Sequence, residues 1–315
     1  MLDTDATAGH RDARPLHDPG AAWRRRLRRD GAAFLFLAPG LFHFLVFVLF
    51  AVVFSLGISF TRWDLLNSPS FVGLQNFSAM LHDDLFWNAL RVTGLFVALS
   101  LPAGIALSLA LALAMNQRLF GISFFRACYF IPVVSSMVAV AVVWRWLYDA
   151  NYGVIDYLLS LLGINGPDWL GDDNLVMFSL AILSIWKGLG FNMVLFLAGL
   201  QGIPRSLYEA AEIDGAGRWA RFRYITWPLL TPTTFFVAVL GVIGSFQVFD
   251  QVLLMFPSGP PDSARVYTFY LYTKAFVDHA MGYAAALAWV LFAIIALITF
   301  LQVRFLGGRV NYEVV

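Results

Sequence analysis

The chain has 315 residues, 60% of them hydrophobic and only 13% charged, with 30 Phe, 10 Trp and a mean hydropathy of +0.73. A soluble domain carries about 25% charged residues, so this much apolar surface excludes a single water-facing core and makes lipid the expected solvent. The one cysteine, Cys128, excludes an internal disulfide framework and a cysteine metal cluster. The net charge of +1 says nothing until its distribution along the chain is considered.

The first twenty or so residues are rich in Asp, Ala, Gly and Pro and read as disordered. "WRRRLRRD" (23–30) resembles the basic flank of a signal peptide. The apolar run after it is about twice the usual 7–15 residues and lacks a small-residue cleavage site, so a retained anchor is expected. Six almost uncharged windows follow: Ala32–Phe60, Val92–Met115, Ala127–Leu147, Leu175–Leu200, Leu229–Val248 and Ala280–Val303. Each is near or above the ~20 residues a membrane helix needs, and far longer than a barrel strand. Backbone in lipid must pair within its own segment, so the fold class is all-α and polytopic with six transmembrane helices.

Positive residues orient these spans. With the N-terminus inside, 15 of the 21 Lys/Arg fall in the N-terminal tail, the 116–126 loop, the 201–228 loop and the C-terminus. Arg62, Arg91, Arg145, Arg265 and Lys274 lie on the other side or at its border, and Lys187 lies within a span. The bias predicts that both termini are cytoplasmic. Three outer connections remain: 61–91, 148–174 and 249–279. The second carries Asp149, Asp156, Asp168, Asp172 and Asp173 without Lys or Arg. In the third, "FPSGPPD" signals a turn, and the aromatics of "VYTFYLYTKAF" suit a helix along the membrane interface. Outer segments of this size suggest a docking surface.

One polar stretch interrupts the pattern: "RSLYEAAEIDGAGRWARFRYITWP", residues 205–228. Ser206 and Glu209 fit an S-x-x-E capping box, with Pro204 upstream. A short helix is expected from about Leu207 to Asp214, stopped by Gly215 and Gly217. By local physics alone this is equally a capped loop helix bordered by positive-inside arginines. The residue order goes further. Glu209-Ala210-Ala211, then Gly215, Ile225 and Pro228, resemble the EAA signature of permease subunits of binding-protein-dependent ABC importers. Trp227 replaces the usual leucine before the proline. "FVGLQNF" (71–77), residues 124–156, "IWKGLGFNMVLFLAGLQGIP" (185–204), "SFQVFDQVLLM" (245–255) and residues 267–286 resemble the maltose-type carbohydrate branch, in family order. The likeness covers about residues 32–306.

The resemblance implies a type I ABC importer permease fold. With the charge pattern, the chain is expected to divide into a cytoplasmic, disordered basic tail (1–30), a six-helix transmembrane domain (31–306) with its coupling loop at 201–228, and a cytoplasmic C-terminal tail (307–315). The resemblance further implies half of a translocation pathway for a di- or oligosaccharide or a sugar-like solute. Tyr208, Glu209, Ala210, Ala211, Asp214, Gly215 and Ala216 would then form the coupling helix, held in a cleft of a cytoplasmic ATPase subunit. The chain has no G-x-x-x-x-G-K-[ST] phosphate loop. It is therefore expected to be non-catalytic and to bind no cofactor, with ATP and Mg2+ on two copies of the ATPase subunit. A second, distinct permease, an extracytoplasmic binding protein and membrane lipid are the other expected partners; nucleic acid is not. The expected location is the bacterial or archaeal cytoplasmic membrane. Two other classes compete, a stand-alone secondary transporter or channel and an intramembrane enzyme. The chain offers neither an acidic relay nor a catalytic pair to support them.

Polar side chains inside spans are the candidate pathway residues. Lys187 sits near mid-membrane, where an exposed charge costs at least ~2.5 kcal/mol. It must face the pathway, a partner or a buried carbonyl. The resemblance places Lys187, Gly188, Phe191 and Asn192 near the sugar, although Gly188 equally suits close helix packing. Ser245, Gln247, Asp250 and Gln251, interleaved with Phe246 and Phe249, offer hydrogen-bonding groups beside aromatic faces. Helix capping is the plainer reading of Asp250. Ser135 and Ser136 follow Pro132, and satisfying carbonyls freed by the proline is their plainer reading. No metal-binding constellation is expected.

Overall fold

The computed structural model describes residues 35–117 and 120–307. The expected disordered tail, 1–30, and nearly all of the C-terminal tail, 308–315, lie outside these residues. The chain divides into two compact units, one ending at Ser55 and one starting at Leu56. In the first, residues 35–54 are helical and all exposed, with a π-helical turn at Phe44–Leu49. The helix runs over Leu35–Ser59 and is long and apolar enough to cross a membrane.

The second unit is built around three further long apolar helices, Asp84–Met115, Val176–Gly202 and Met281–Leu306. Two bent pairs make up the remaining spans, for six in all among the described residues if each pair counts once. The second span, Asp84–Met115, is capped by the Asp83 carboxylate, which accepts the Leu85 N–H at 3.0 Å. It packs along the fourth, Val176–Gly202, and against the fifth. Buried residues gather in one cluster near the 205–229 loop, including Met193, Phe196, Leu200 and Leu230. Another lies toward the opposite end, around Trp144, Tyr148, Leu180 and Val252.

The third span departs from the single window expected over 127–147. It consists of Ile122–Val134 and Met137–Leu147, bent by 101°. Pro132 has no N–H to give to the helical ladder, and Ser135 and Ser136 adopt extended backbones (ψ 142° and 135°). The fifth span is likewise bent by 62° between Arg218–Leu229 and Thr231–Phe246. A π-helical turn, Phe222–Thr226, runs just ahead of Pro228, and Pro232 follows the bend. The chain then breaks over 247–249 and resumes as a short helix, Asp250–Met255.

The aromatic segment 267–277 is helical, but only part of it suits an interface. Tyr267 and Tyr270 are buried, and the Tyr267 hydroxyl donates to Leu287 O at 2.8 Å on the sixth span. Phe276 and Val277 are exposed. Tyrosines of a packed helix and of an interfacial helix have the same apolar body and polar tip, so composition does not separate them. Tyr270 and Tyr283 both donate to the carboxylate of Asp83, the latter at 2.8 Å, tying the start of the second span to the sixth. Partial burial opposes the Asp83 charge. The two hydroxyls and the N–H groups of Leu85 and Phe86 nevertheless hold its carboxyl below the usual range.

Candidate functional site

A cavity of about 330 Å3 opens between the second, fourth and fifth spans. The fourth span contributes Ser184, Gly188 and Asn192, which recur at four-residue spacing on one face. The fifth contributes Gly241, Gly244 and Ser245, the break beyond it adds Gln247 and Phe249, and the short helix adds Asp250 and Gln251. The cavity exists partly because glycines stand where side chains would fill it. A Cβ placed on Gly188 or Gly244 would meet nothing within 4 Å. Gly188 therefore opens space and does not serve close helix packing within this chain.

Hydrogen bonds hold the rim. The Gln251 Nε2 donates to Ser184 Oγ at 2.7 Å, bridging the short helix to the fourth span. Thr268 donates its hydroxyl to Val248 O, steadying the broken backbone at 247–249. Phe249 stands against Tyr272, ring centroids 5.3 Å apart, so an aromatic pair borders the polar groups. The lining includes one carboxylate, Asp250, and among the described residues no lysine or arginine.

Six of the eight expected pathway residues thus meet on one cavity: Gly188, Asn192, Ser245, Gln247, Asp250 and Gln251. Lys187 and Phe191 do not. Successive helical residues differ by about 100°, so Lys187 points away from the face of Gly188. Its ammonium donates to the carbonyls of Pro132 (2.7 Å), Val133 (3.3 Å) and Ser135 (2.8 Å). Of the three destinations considered for this charge, the buried carbonyl is the one it takes. Phe191, one turn further on, is 45% exposed and also outside the cavity. Ser135 does satisfy a carbonyl, donating to Ile131 O at 2.9 Å. Sequence reasoning missed the second-span wall of Phe96, Ser100, Leu101 and Gly104, and also Ser184, Gly241 and Gly244. The Gly241–Gly244 spacing, beside the expected Ser245, is the one signal that could have pointed there.

The polar stretch forms a helix over Arg205–Ile213. It begins two residues earlier than expected because Pro204, at φ −59°, is already fixed for helix entry and takes the N-cap position. Ser206 and Glu209 consequently fall inside the helix, and no side chain caps its N-terminus, so the capping box is not formed. The C-terminus is closed as expected. Gly215 is at φ +77°, its N–H donates to Glu212 O at 3.1 Å, and Ala216 N–H reaches back to Ala211 O at 2.8 Å. That pair of bonds is a Schellman closure, which needs a residue able to adopt positive φ. Gly217 is not a second stop: at φ −67° it starts the next helix.

The Tyr208 hydroxyl meets Thr226 Oγ1 at 2.9 Å, and Arg221 pairs with Glu212 at 3.5 Å. These contacts fold the helix back on the start of the fifth span. Glu209, Ala210, Asp214 and Gly215 remain exposed, with Ala211 and Ala216 partly so. Ile213 (87% exposed), Trp219 and Tyr224 extend the same loop with apolar surface that the described residues leave largely uncovered.

The family model described as "Binding-protein-dependent transport system inner membrane component" matches residues 101–312. The probable ABC transporter permease protein YesP of Bacillus subtilis is 37% identical over 295 residues, covering 92% of this chain and 95% of the relative. The lactose transport system permease protein LacF of Rhizobium radiobacter is 34% identical over 288 residues, with 89% and 96% covered. Two solved structures share the fold. One is of a bacterial ABC transporter involved in import of the acidic polysaccharide alginate (TM-score 0.81, 23% identity, covering 91% of this chain and 99% of that chain). The other is of a bacterial alginate ABC transporter in complex with an alginate pentasaccharide-bound periplasmic protein (TM-score 0.77, 24% identity, 89% and 95%).

Proposed function

The chain belongs to the family of binding-protein-dependent transport system inner membrane components, and from that premise we propose that it forms half of the import pathway for an uncharged di- or oligosaccharide. The observation that carries the reading is the cavity: Asn192, Ser245 and Gln247 stand beside the ring of Phe249, with no cationic lining residue. Amide and hydroxyl groups match the hydroxyls of a sugar, and an aromatic face matches its apolar side. The negative charge of Asp250 disfavours phosphate esters and uronates, which would have to be desolvated beside it. The sugar named for LacF supports a carbohydrate cargo.

In this reading the Arg205–Ile213 helix docks in a separate ATPase subunit, present in two copies that bind ATP and Mg2+. The exposed EAA residues and the uncovered Ile213 and Trp219 support that assignment. A second, distinct permease completes the pathway, and an extracytoplasmic binding protein delivers the solute, as the alginate complex suggests by likeness. Both termini lie on the cytoplasmic side of the cell membrane, the six-helix domain spans 31–306, and hydrolysis belongs to the partner.

The test is uptake into proteoliposomes holding this chain, its partner permease and its ATPase, with the binding protein supplied outside. We expect at least one neutral sugar from a panel of radiolabelled di- and trisaccharides to be imported, while glycerol 3-phosphate and a uronate disaccharide are not. Import of the anionic solutes alone would contradict the reading.

A further inference from the structure

The break in the third span strands a group of backbone carbonyls, and one side chain from another helix collects them. Ser135 and Ser136 are extended, so the helix ending at Val134 cannot pass its hydrogen bonds on to the helix starting at Met137. Ile131 O receives the Ser135 hydroxyl, and Pro132 O receives the Ser135 N–H at 3.3 Å. Pro132, Val133 and Ser135 also converge on Lys187 Nζ, at 2.7, 3.3 and 2.8 Å. An ammonium has three N–H groups and no acceptor, so each of its protons has a carbonyl here. Its charge also faces the negative end of the helix that stops at Val134.

The same turn of the fourth span grips the third in a second way. A Cβ on Gly190 would lie 2.1 Å from the backbone oxygen of Tyr129, so only glycine allows this approach. Clamp and notch are three residues apart and share a face. Beyond the break, Met137–Leu147 packs on Asp250–Met255, the short helix that brings Asp250 and Gln251 to the cavity. At its other end the fourth span stops at Gly202 and the chain enters the Arg205–Ile213 helix.

We propose that Lys187 is a positioning residue and not a solute ligand: it fixes the elbow of the third span to the fourth. The elbow then carries displacement of the fourth span to the cavity wall through Asp250–Met255. The consequence for transport rests on the function proposed above; the clamp itself does not.

The experiment reads the elbow and transport separately, in the assembled transporter with Cys128→Ser. Spin labels replace Phe124 and Val143, which are exposed on the two arms. With Lys187 present the 101° bend is expected to keep the distance between them well below that of a straight helix. In Lys187→Met it lengthens toward the roughly 28 Å an unbroken helix would span, at about 1.5 Å per residue. Lys187→Arg keeps most of the short population, and propylamine added to Lys187→Ala restores it. Maximal uptake of a neutral disaccharide falls at least tenfold in Lys187→Met, with sugar preference and half-saturating binding protein unchanged. Should Lys187→Met fail to assemble, the arginine variant and the propylamine rescue decide. An unchanged distance in Lys187→Met, or no rescue of Lys187→Ala, overturns the clamp. So does altered sugar preference at unchanged distance, which would make Lys187 a solute ligand. If wild type imports no neutral sugar, the transport reading fails while the distances still judge the clamp.

Discussion

In the 205–229 loop, Ala216 bonds to Ala211 and Tyr208 reaches Thr226, all within eighteen residues of chain. At the cavity and elsewhere between the spans that frame it, the ties are of another order. Gln251 reaches Ser184 across 67 residues, Tyr267 N–H reaches the Thr93 hydroxyl across 174, and Tyr283 reaches Asp83 across 200. The loop is a local device whose shape its own sequence dictates, and it leaves most of its working residues exposed. The cavity is a product of packing, and no one segment contains it. A local device should fail through its backbone, with the rest of the molecule intact. A packed cavity should lose function in small steps when a contact is trimmed, and all at once only when its space is filled.

The largest of the graded effects is expected in the loop. Gly215→Val places a β-branched residue at φ +77°, a conformation costing roughly 1–2 kcal/mol for an L-residue, though its Cβ would meet no neighbour. The Schellman closure should open and the helix lose its docking shape. We expect uptake and binding-protein-stimulated ATPase to fall together by at least tenfold while the membrane level stays normal. Gly215→Asn, which tolerates positive φ, should fall less. Normal uptake by Gly215→Val would break the comparison on its local side.

Smaller losses are expected at the cavity. Asn192→Ala and Gln247→Ala each remove one polar contact, worth about 0.5–1.5 kcal/mol net. That corresponds to roughly two- to tenfold slower uptake. Preference among related sugars should shift, with ATPase stimulation retained. Unchanged rate and preference in both variants would move the solute path away from this wall.

The smallest effect concerns the tie at Asp83. A carboxyl held below its usual pKa contributes stability that is present above the unfolded value and lost as pH falls through the folded one. The melting temperature of the solubilised transporter should therefore drop as pH goes below about 4. In Asp83→Asn that acid dependence should be weaker, with a slightly lower melting temperature at pH 7. Identical pH profiles for the two proteins would show that this long-range tie contributes nothing.

The same contrast explains what the sequence reveals. Glu209, Gly215 and Pro228 lie on one short stretch, so their spacing alone marks the loop. The polar residues of the fourth and fifth spans stand out against apolar neighbours, and so Asn192, Ser245 and Gln247 are found. Phe96, Ser100 and Gly104 are not, because an apolar helix surrounded by lipid and protein carries no periodic sign of which face turns inward. Lys187 is visible as a charge, but its direction depends on a helix break 52 to 55 residues earlier. Pro132 and two serines hint at that break without giving its 101° bend. The capping box fails for a local reason: Pro204 starts the helix before Ser206 can cap it.

The account depends most on the cavity being the route of the solute, and Gly188 tests this with the least ambiguity. A Cβ there would meet no atom within 4 Å and the backbone is ordinary, so Gly188→Leu should fold and assemble while its side chain occupies the cavity. Sugar uptake and ATPase stimulated by loaded binding protein are to be measured on the same proteoliposomes. We predict uptake reduced to background with stimulation of the ATPase still present. Uptake at the wild-type rate in Gly188→Leu would contradict the account.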